Sequence, residues 1–312
     1  MVNFETISQA HERIKGQIHR TPVMSCKAIN EIAGCEIFFK CENFQKVGAF
    51  KFRGASNAVL SLTDEQAKRG VATHSSGNHA QALALAARMR GIPATIVMPS
   101  NAPQVKIDAV RGYGAEIIFC EPTLEARETN LNKVVEAKGS YVIHPYNNFE
   151  VIAGQGTAVK ELIEDYGKFD IIMTPVGGGG LLSGSAISAK ALCPDCEVIA
   201  AEPKGADDAY RSFKAGYIIP QTGPNTICDG LLTSLGDKTF AIIKANVDDI
   251  LTVDDEIIKE AMKLTWERMK IVIEPSSAVC LAAIMDNKKR FFGKRIGVVI
   301  SGGNVDFSRK FG

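Results

Sequence analysis

The feature that most constrains this chain is a repeating order of short apolar runs and longer helical ones, punctuated by glycine. Val71-Ala72-Thr73, Ala94 to Met98, Ala115 to Cys120 and Tyr141-Val142-Ile143 read as strands. Asn78 to Met89, Gln104 to Arg111 and Thr123 to Lys138 read as the helices between them. Gly91, Gly112 and Gly139 fall where helix C-caps belong. Strands separated by helices need crossover connections, which gives a parallel sheet covered by helices. The alternation resumes after Ile152, with a helix to about Tyr166, a strand Ile171-Ile172-Met173, a helix Leu181 to Leu192 and a strand Val198-Ile199-Ala200. Upstream, an amphipathic helix is expected from Ala10 to His19, a strand from Glu36 to Cys41 and a helix from Phe52 to Leu62, with a capping box at Thr63-Asp64-Glu65-Gln66. Downstream, helices are expected over Glu256 to Met269 and Ser277 to Met285, a strand over Ile296 to Ile300, and irregular chain over Gly216 to Gly236. The pattern reads as two α/β lobes, with ligands at strand C-termini in the cleft between them.

Four segments interrupt this frame where such a cleft would be. Ala49-Phe50-Lys51-Phe52-Arg53-Gly54 places one lysine between two aromatics. A lysine against apolar surface loses charge stabilisation and becomes a better nucleophile and base. Ser75-Ser76-Gly77-Asn78-His79 follows a strand and opens a helix, so its hydroxyls and free N–H groups suit a carboxylate. Gly177-Gly178-Gly179-Gly180 also stands between strand and helix, where backbone N–H groups can approach an anion. Ser301-Gly302-Gly303-Asn304 follows the last strand. An amine, a phosphate cradle, a carboxylate holder and a partner for a ring nitrogen are together what a pyridoxal phosphate site needs. A nicotinamide-dependent oxidoreductase is the rival, with Glu202 placed as a ribose ligand. Gly-x-Gly-x-x-Gly is not met, however, because Ser183 takes the last glycine's position. A non-catalytic ligand sensor is a third reading, and the intact set of polar residues argues against it.

Composition narrows the class. With 36 basic and 35 acidic side chains among 312 residues, nothing favours nucleic acid or an anionic membrane as partner. No apolar stretch approaches a membrane span, and the N-terminus carries no secretory pattern, so a cytoplasmic location with free thiols is expected. Cys193-Pro194-Asp195-Cys196 is read as a structural loop rather than a metal or redox pair.

With these residues in view, the chain resembles the fold-type II pyridoxal-phosphate enzymes (tryptophan synthase β-like), specifically the serine racemase and serine/threonine dehydratase group. The resemblance is carried by Gln45 to Ala55, Ser75 to Gln81, Val151 to Thr157, Gly177 to Leu182 and Ser301 to Asp306. It implies two open, twisted parallel-sheet lobes with the cofactor in the cleft. The expected division is a large cofactor-binding domain of 1–66 and 147–312 and a small mobile domain of 67–146. It also implies that Lys51 forms the Schiff base, Phe50 packs on the ring, Asn78 bonds the ring hydroxyl, Gly177, Gly178, Gly179 and Gly180 bind phosphate, and Ser301 meets the pyridine nitrogen. A neutral hydroxyl at that nitrogen is expected to favour β-elimination over transamination.

The implied reactions are dehydration of L-serine or L-threonine to a keto acid and ammonia, and racemisation of serine. Lys51 works on one face of Cα and Ser76 on the other. Ser75, Ser76, Gly77, Asn78 and His79 are the implied substrate loop. A 3-hydroxyaspartate dehydratase is the alternative within the group, with Arg127 as the cationic partner for a β-carboxylate. Val47, Ala49 and Ala80 depart from many relatives and bring the chain nearest to microbial racemase/dehydratases and hydroxyaspartate dehydratases. The resemblance further implies Mg2+ (or Ca2+ or Mn2+) at Glu202, Ala206 and Asp208, ATP as activator at Lys46, Gln81, Tyr113, Lys270 and Asn304, and a homodimer. No isoleucine-sensing regulatory domain is expected.

Overall fold

The computed structural model describes residues 2–102 and 104–306. In chain order the first part runs α1 (Phe4–Ile14), β1 (Val23–Met24), α2 (Lys27–Ala33), β2 (Glu36–Cys41), α3 (Lys51–Leu60), α4 (Asp64–Arg69), β3 (Val71–His74), α5 (Asn78–Arg90), β4 (Ala94–Pro99), α6 (Gln104–Gly112), β5 (Glu116–Cys120), α7 (Leu124–Lys138) and β6 (Tyr141–Val142). The rest is α8 (Phe149–Tyr166), β7 (Ile171–Pro175), α9 (Gly180–Leu192), β8 (Glu197–Pro203), α10 (Asp208–Ala215), α11 (Asp237–Asn246), β9 (Asp249–Val253), α12 (Asp255–Met269), α13 (Pro275–Asp286), α14 (Lys288–Phe291) and β10 (Arg295–Ile300).

The strands form two sheets. The larger has the order β1-β2-β10-β7-β8-β9 and the smaller β5-β4-β3-β6. The small sheet is parallel throughout, and the large one is parallel apart from its edge strand β1, which runs antiparallel to β2. Both sheets are covered by helices, which explains why β4, β7 and β8 read as nearly continuous apolar runs. The C-terminal ends of β2, β10 and β7 feed the Lys51 segment, the Ser301 loop and the glycine loop, and β3 feeds Ser75. Functional loops therefore collect at one edge of each sheet.

Some expectations shift. The first helix begins at Phe4, not Ala10, because Asn3 and Thr6 cap each other reciprocally, and it ends at Ile14. The helix expected from Ile152 begins at Phe149, where the Asn148 side chain accepts the N–H groups of Glu150 and Val151. β1, α2, α10, α11 and β9 were not expected; α11 and β9 follow no clear period, whereas α10 is strongly amphipathic and its signal was passed over.

Two packing features fix the frame around Lys51. Helices α3, α8 and α9 meet at backbone distance. A Cβ on Gly154 would lie 2.6 Å from the Arg53 carbonyl oxygen, and one on Gly184 would overlap the Ile152 carbonyl and the Gly156 amide. Beneath α3, the fully buried Arg53 forks onto Glu42 (2.7 and 2.8 Å) and Glu161 (2.9 and 2.8 Å). Lys40 joins Glu161 at 2.7 Å, Thr157 Oγ1 accepts the fifth Arg53 proton at 3.1 Å, and Thr21 donates its hydroxyl to Glu42 at 2.6 Å. Two buried cations thus face two buried anions, the geometry in which burying charge is tolerable.

Candidate active site

The Lys51 segment is held in a constrained shape. Val47 has φ 58° and Gly48 φ 67°, so two successive residues are left-handed, one of them β-branched. The shape is enforced from the far end of the chain. Gly303 N–H donates to the Gly48 carbonyl (2.9 Å), Phe50 N–H to the Ser301 carbonyl (3.0 Å), and the Asn304 amide to the Val47 carbonyl (2.8 Å). Ala49 bridges antiparallel to Gly302. Lys51 Nζ donates to the Pro145 carbonyl (2.9 Å) and lies 5.1 Å from the centre of the Phe50 ring. Burial pulls its pKa down to about 8, against the opposing pull of Glu274. A substantial share of the amine is therefore neutral near physiological pH, the form a nucleophile needs.

Pro145 leads directly to the glycine loop. The ring of Tyr146 occupies the space a Cβ on Gly178 would fill, and a Cβ on Gly180 would lie 3.0 Å from Tyr146 Cβ. On the other side a Cβ on Gly177 would lie 3.0 Å from Leu231 Cα. Gly179, at φ 85°, is the N-cap of α9 and offers no side-chain cap, so the first N–H groups of a 13-residue helix remain for an anion. Thr239 Oγ1 donates to the Gly178 carbonyl at 2.9 Å and fixes the loop's orientation.

The Ser75 loop closes the opposite side. Ser75 Oγ accepts the Gly77 N–H at 3.3 Å, and Gly77 caps α5 without a side chain, leaving free the N–H groups that open the helix. Ser76 is half-buried, and its hydroxyl makes no hydrogen bond among the described residues. His79 belongs to the loop by its backbone only. Its buried ring places Nε2 3.1 Å from the Ile143 carbonyl, and burial pushes its pKa down to about 3. The neighbouring His144 is also held neutral by burial, at about 4, and its Nδ1 accepts the Asn147 N–H at 3.0 Å. Arg127 stands in the first turn of α7, its Nε on the Thr123 carbonyl at 3.2 Å, close enough to help burial lower the pKa of His74.

Sequence reasoning missed Glu274, the acid at the centre of the site. It is buried, accepts Asn78 Nδ2 on both oxygens (3.1 and 3.2 Å) and the Asn304 N–H (3.1 Å), and burial raises it to about 7. Asn304 Nδ2 in turn donates to Asn78 Oδ1 at 2.9 Å. Pro145, Tyr146, Thr239 and Ser277 were missed as well. The only local signal at Glu274 was a glutamate before Pro275, which reads as a helix start.

Other sequence candidates lie apart. Glu202 and Asp208 are both buried at the end of β8 and the start of α10, with Ala206 in the single turn between. Burial raises Glu202 to about 9 and Asp208 to about 6. Glu202 accepts N–H groups from Tyr210 (2.5 Å) and Ala209 (3.3 Å), while Asp208 Oδ2 is buried with no partner among the described residues. Two desolvated carboxylates are hard oxygen donors of the kind a divalent cation takes. Glu202 faces backbone amides rather than a glycine-loop ligand, so it does not serve as a ribose ligand. Of the five nucleotide candidates, Gln81 and Asn304 line one cavity of 120 Å³ between the lobes, and Tyr113 lines another. Lys46 packs over Phe52, and Lys270 caps α12 at φ 61°.

A lysine with a lowered pKa, a glycine cradle that admits no side chain, an uncapped helix N-terminus and a buried serine at a strand end fit pyridoxal phosphate. The comparisons agree. The family model described as pyridoxal-phosphate dependent enzyme matches residues 14–302. The chain is 53% identical to the beta-hydroxyaspartate dehydratase of Paracoccus denitrificans, covering 98% of this chain and 97% of that one. It is 54% identical to the serine racemase of Dictyostelium discoideum, covering 98% and 96%. The maize serine racemase structure superposes with a TM-score of 0.96 at 48% identity, covering 98% and 95%. This removes the oxidoreductase and sensor alternatives: the chain belongs to the pyridoxal-phosphate dependent enzyme family, in its fold-type II branch.

Proposed function

We propose that this enzyme acts on small β-hydroxy amino acids, L-serine first, converting them to keto acid and ammonia and inverting Cα in a share of turnovers. The observation that carries the reading is the Lys51 amine, lowered to about 8 and donating to the carbonyl of Pro145, whose neighbour Tyr146 seals the glycine loop. Pyridoxal phosphate, when bound, supplies the electron sink that lets a Cα–H bond ionise. Gly177 to Gly180 hold its phosphate, Phe50 and Asn78 its ring, and Ser301 its ring nitrogen. The N–H groups at the start of α5 hold the substrate carboxylate. Lys51 Nζ takes the Cα proton, and Ser76 Oγ returns one to the other face when inversion occurs.

An assay on L-serine that reads D-serine and pyruvate from one tube tests the proposal. Both products are expected. Ser76→Ala is expected to abolish D-serine formation and spare pyruvate, and equal loss of both would overturn the two-base scheme.

A second reading, a 3-hydroxyaspartate dehydratase, is supported by Arg127 near His74, a cation beside the substrate loop. On that reading Arg127→Ala lowers kcat/KM for 3-hydroxyaspartate by about a hundredfold and leaves L-serine unaffected, the loss expected for one charge-assisted contact.

The proposal extends to Mg2+ held by Glu202, Asp208 and the Ala206 carbonyl, and to a small mobile lobe of 67–146 closing on a large one of 1–66 and 147–312. It also includes a homodimer, in which Lys46, Gln81, Tyr113, Lys270 and Asn304 would be completed into an ATP site by the second subunit. Eight unpaired cysteines, seven of them buried, support a reducing, cytoplasmic setting. Among the described residues no helix is long and apolar enough to cross a membrane.

A further inference from the structure

Asn78, the first residue of α5, is half-buried, and its side-chain amide is held at both ends by residues far along the chain. Its Nδ2 donates to both oxygens of Glu274, at 3.1 and 3.2 Å, and its Oδ1 accepts from Asn304 Nδ2 at 2.9 Å. The neighbours decide which end of each amide is nitrogen. The Val47 carbonyl can only accept, so the Asn304 side-chain atom 2.8 Å from it is the nitrogen. The other proton of that nitrogen faces Asn78, whose facing atom is therefore the oxygen. Asn78 Nδ2 is left facing Glu274, which also accepts the Asn304 N–H at 3.1 Å. Among the described residues the Glu274 side-chain oxygens meet donors only.

Asn78 Nδ2 carries two protons. Seen from it the two carboxylate oxygens lie close together, whereas its two N–H bonds diverge, so both oxygens share one proton. The second has no acceptor among the described residues. A donor locked in orientation with one proton free points to an acceptor that a ligand supplies. An ionised ring oxygen of pyridoxal phosphate is such an acceptor.

We propose that Glu274 is a positioning residue for the cofactor: together with Asn304 it locks the Asn78 amide so that the free Nδ2 proton is offered to the ionised ring oxygen. This rests on the placement of Asn78 at that oxygen. A neutral amide cannot substitute for the carboxylate. Asn78 Nδ2 touches both carboxylate positions, so a glutamine would set its own nitrogen against Nδ2 in either orientation.

The test uses the holoenzyme at a pH above about 7, where Glu274 is ionised. Retention of pyridoxal phosphate is read by equilibrium dialysis. The long-wavelength absorption band of the bound cofactor reports the ionised ring oxygen. Asn78→Ala is expected to weaken retention about tenfold and to move absorbance from the long-wavelength band to the short-wavelength one. Glu274→Gln is expected to move the band the same way and to weaken retention about three- to tenfold. The double variant is expected to be no weaker than Asn78→Ala, because the acid acts through the amide.

If Asn78→Ala leaves retention and band unchanged, the placement of Asn78 fails and this proposal with it. If Asn78→Ala moves the band while Glu274→Gln does not, or if the two losses add, only the role of Glu274 is overturned. A merely structural Glu274 would lower the urea midpoint without moving the band. Should Glu274→Gln fold poorly, combining it with Asn78→Asp again sets a donor against an acceptor but removes the free proton. That pair is expected to regain the wild-type urea midpoint and to show the band of Asn78→Ala; a wild-type band would overturn the proposal.

Discussion

At the scale of single residues, the site is defined by two groups whose charges are disfavoured by burial. Glu274 titrates near 7 in the folded chain against an ordinary 4.5, so the folded form holds a proton that the unfolded form has released. Stability from this group is present below about pH 4.5 and is lost as pH rises through 7. Lys51 is shifted the other way, from 10.5 to about 8, so over that interval the unfolded chain binds more protons and stability rises with pH. In the cofactor-free protein, Glu274→Gln is expected to remove the fall in urea midpoint between about pH 5 and 7.5, and an unchanged slope would show that Glu274 ionises without penalty. Gly178→Ala would drive a methyl into the Tyr146 ring. We expect at least a tenfold loss of pyridoxal phosphate retention from it, measured by equilibrium dialysis against graded cofactor, with the lysine itself intact.

At the scale of elements, α3 carries Lys51 and is held from below by Arg53, Glu42, Glu161 and Lys40. Burial pushes Glu161 upward, but Arg53 and Lys40 outweigh it and hold the carboxyl at about 2. Its contribution is therefore present above about 4.5 and is lost as pH falls toward 2. Glu161→Gln leaves two buried cations to share the one remaining carboxylate, Glu42, and takes from Lys40 its direct anionic partner. It is expected to cost about 3–5 kcal/mol, visible as a large drop in the urea midpoint at neutral pH.

The elements also show what the sequence could disclose. The glycine loop, the Ser75 loop and the Ser301 loop were legible because each follows a covered strand and stands out from an apolar run. Lys51 was legible through its aromatic neighbours together with those loops. Glu274 was not, because it meets Asn78 across 196 residues and its local surroundings announce only a helix cap. The Arg53 cluster was hidden for the same reason, since its partners come from α3, β2, α8 and the turn after β2. β9 and α11 escaped because their polar and apolar residues follow neither period.

At the scale of the whole molecule, charge pairs join the chain segments that carry the two sheets. One is the ion pair of Lys106 on α6 with Asp229, at 2.9 Å, beside the 120 Å³ cavity. Both side chains are partly exposed, so the pair itself is worth about 1 kcal/mol or less. Asp229→Asn is therefore expected to leave thermal stability nearly unchanged. If the small lobe closes on substrate, the substitution is expected to raise KM for L-serine several-fold and to make KM less sensitive to salt than that of the wild type.

The strap between residues 47–50 and 301–304 has one more consequence, for biosynthesis. The Val47 carbonyl and the Asn304 amide that restrains it are 257 residues apart. While the ribosome is still translating the middle of the message, Lys51 has emerged but nothing holds it in its working shape. Cofactor capture is therefore expected to wait until residue 304 has left the exit tunnel, so that vitamin supply acts after, not during, synthesis of this stretch.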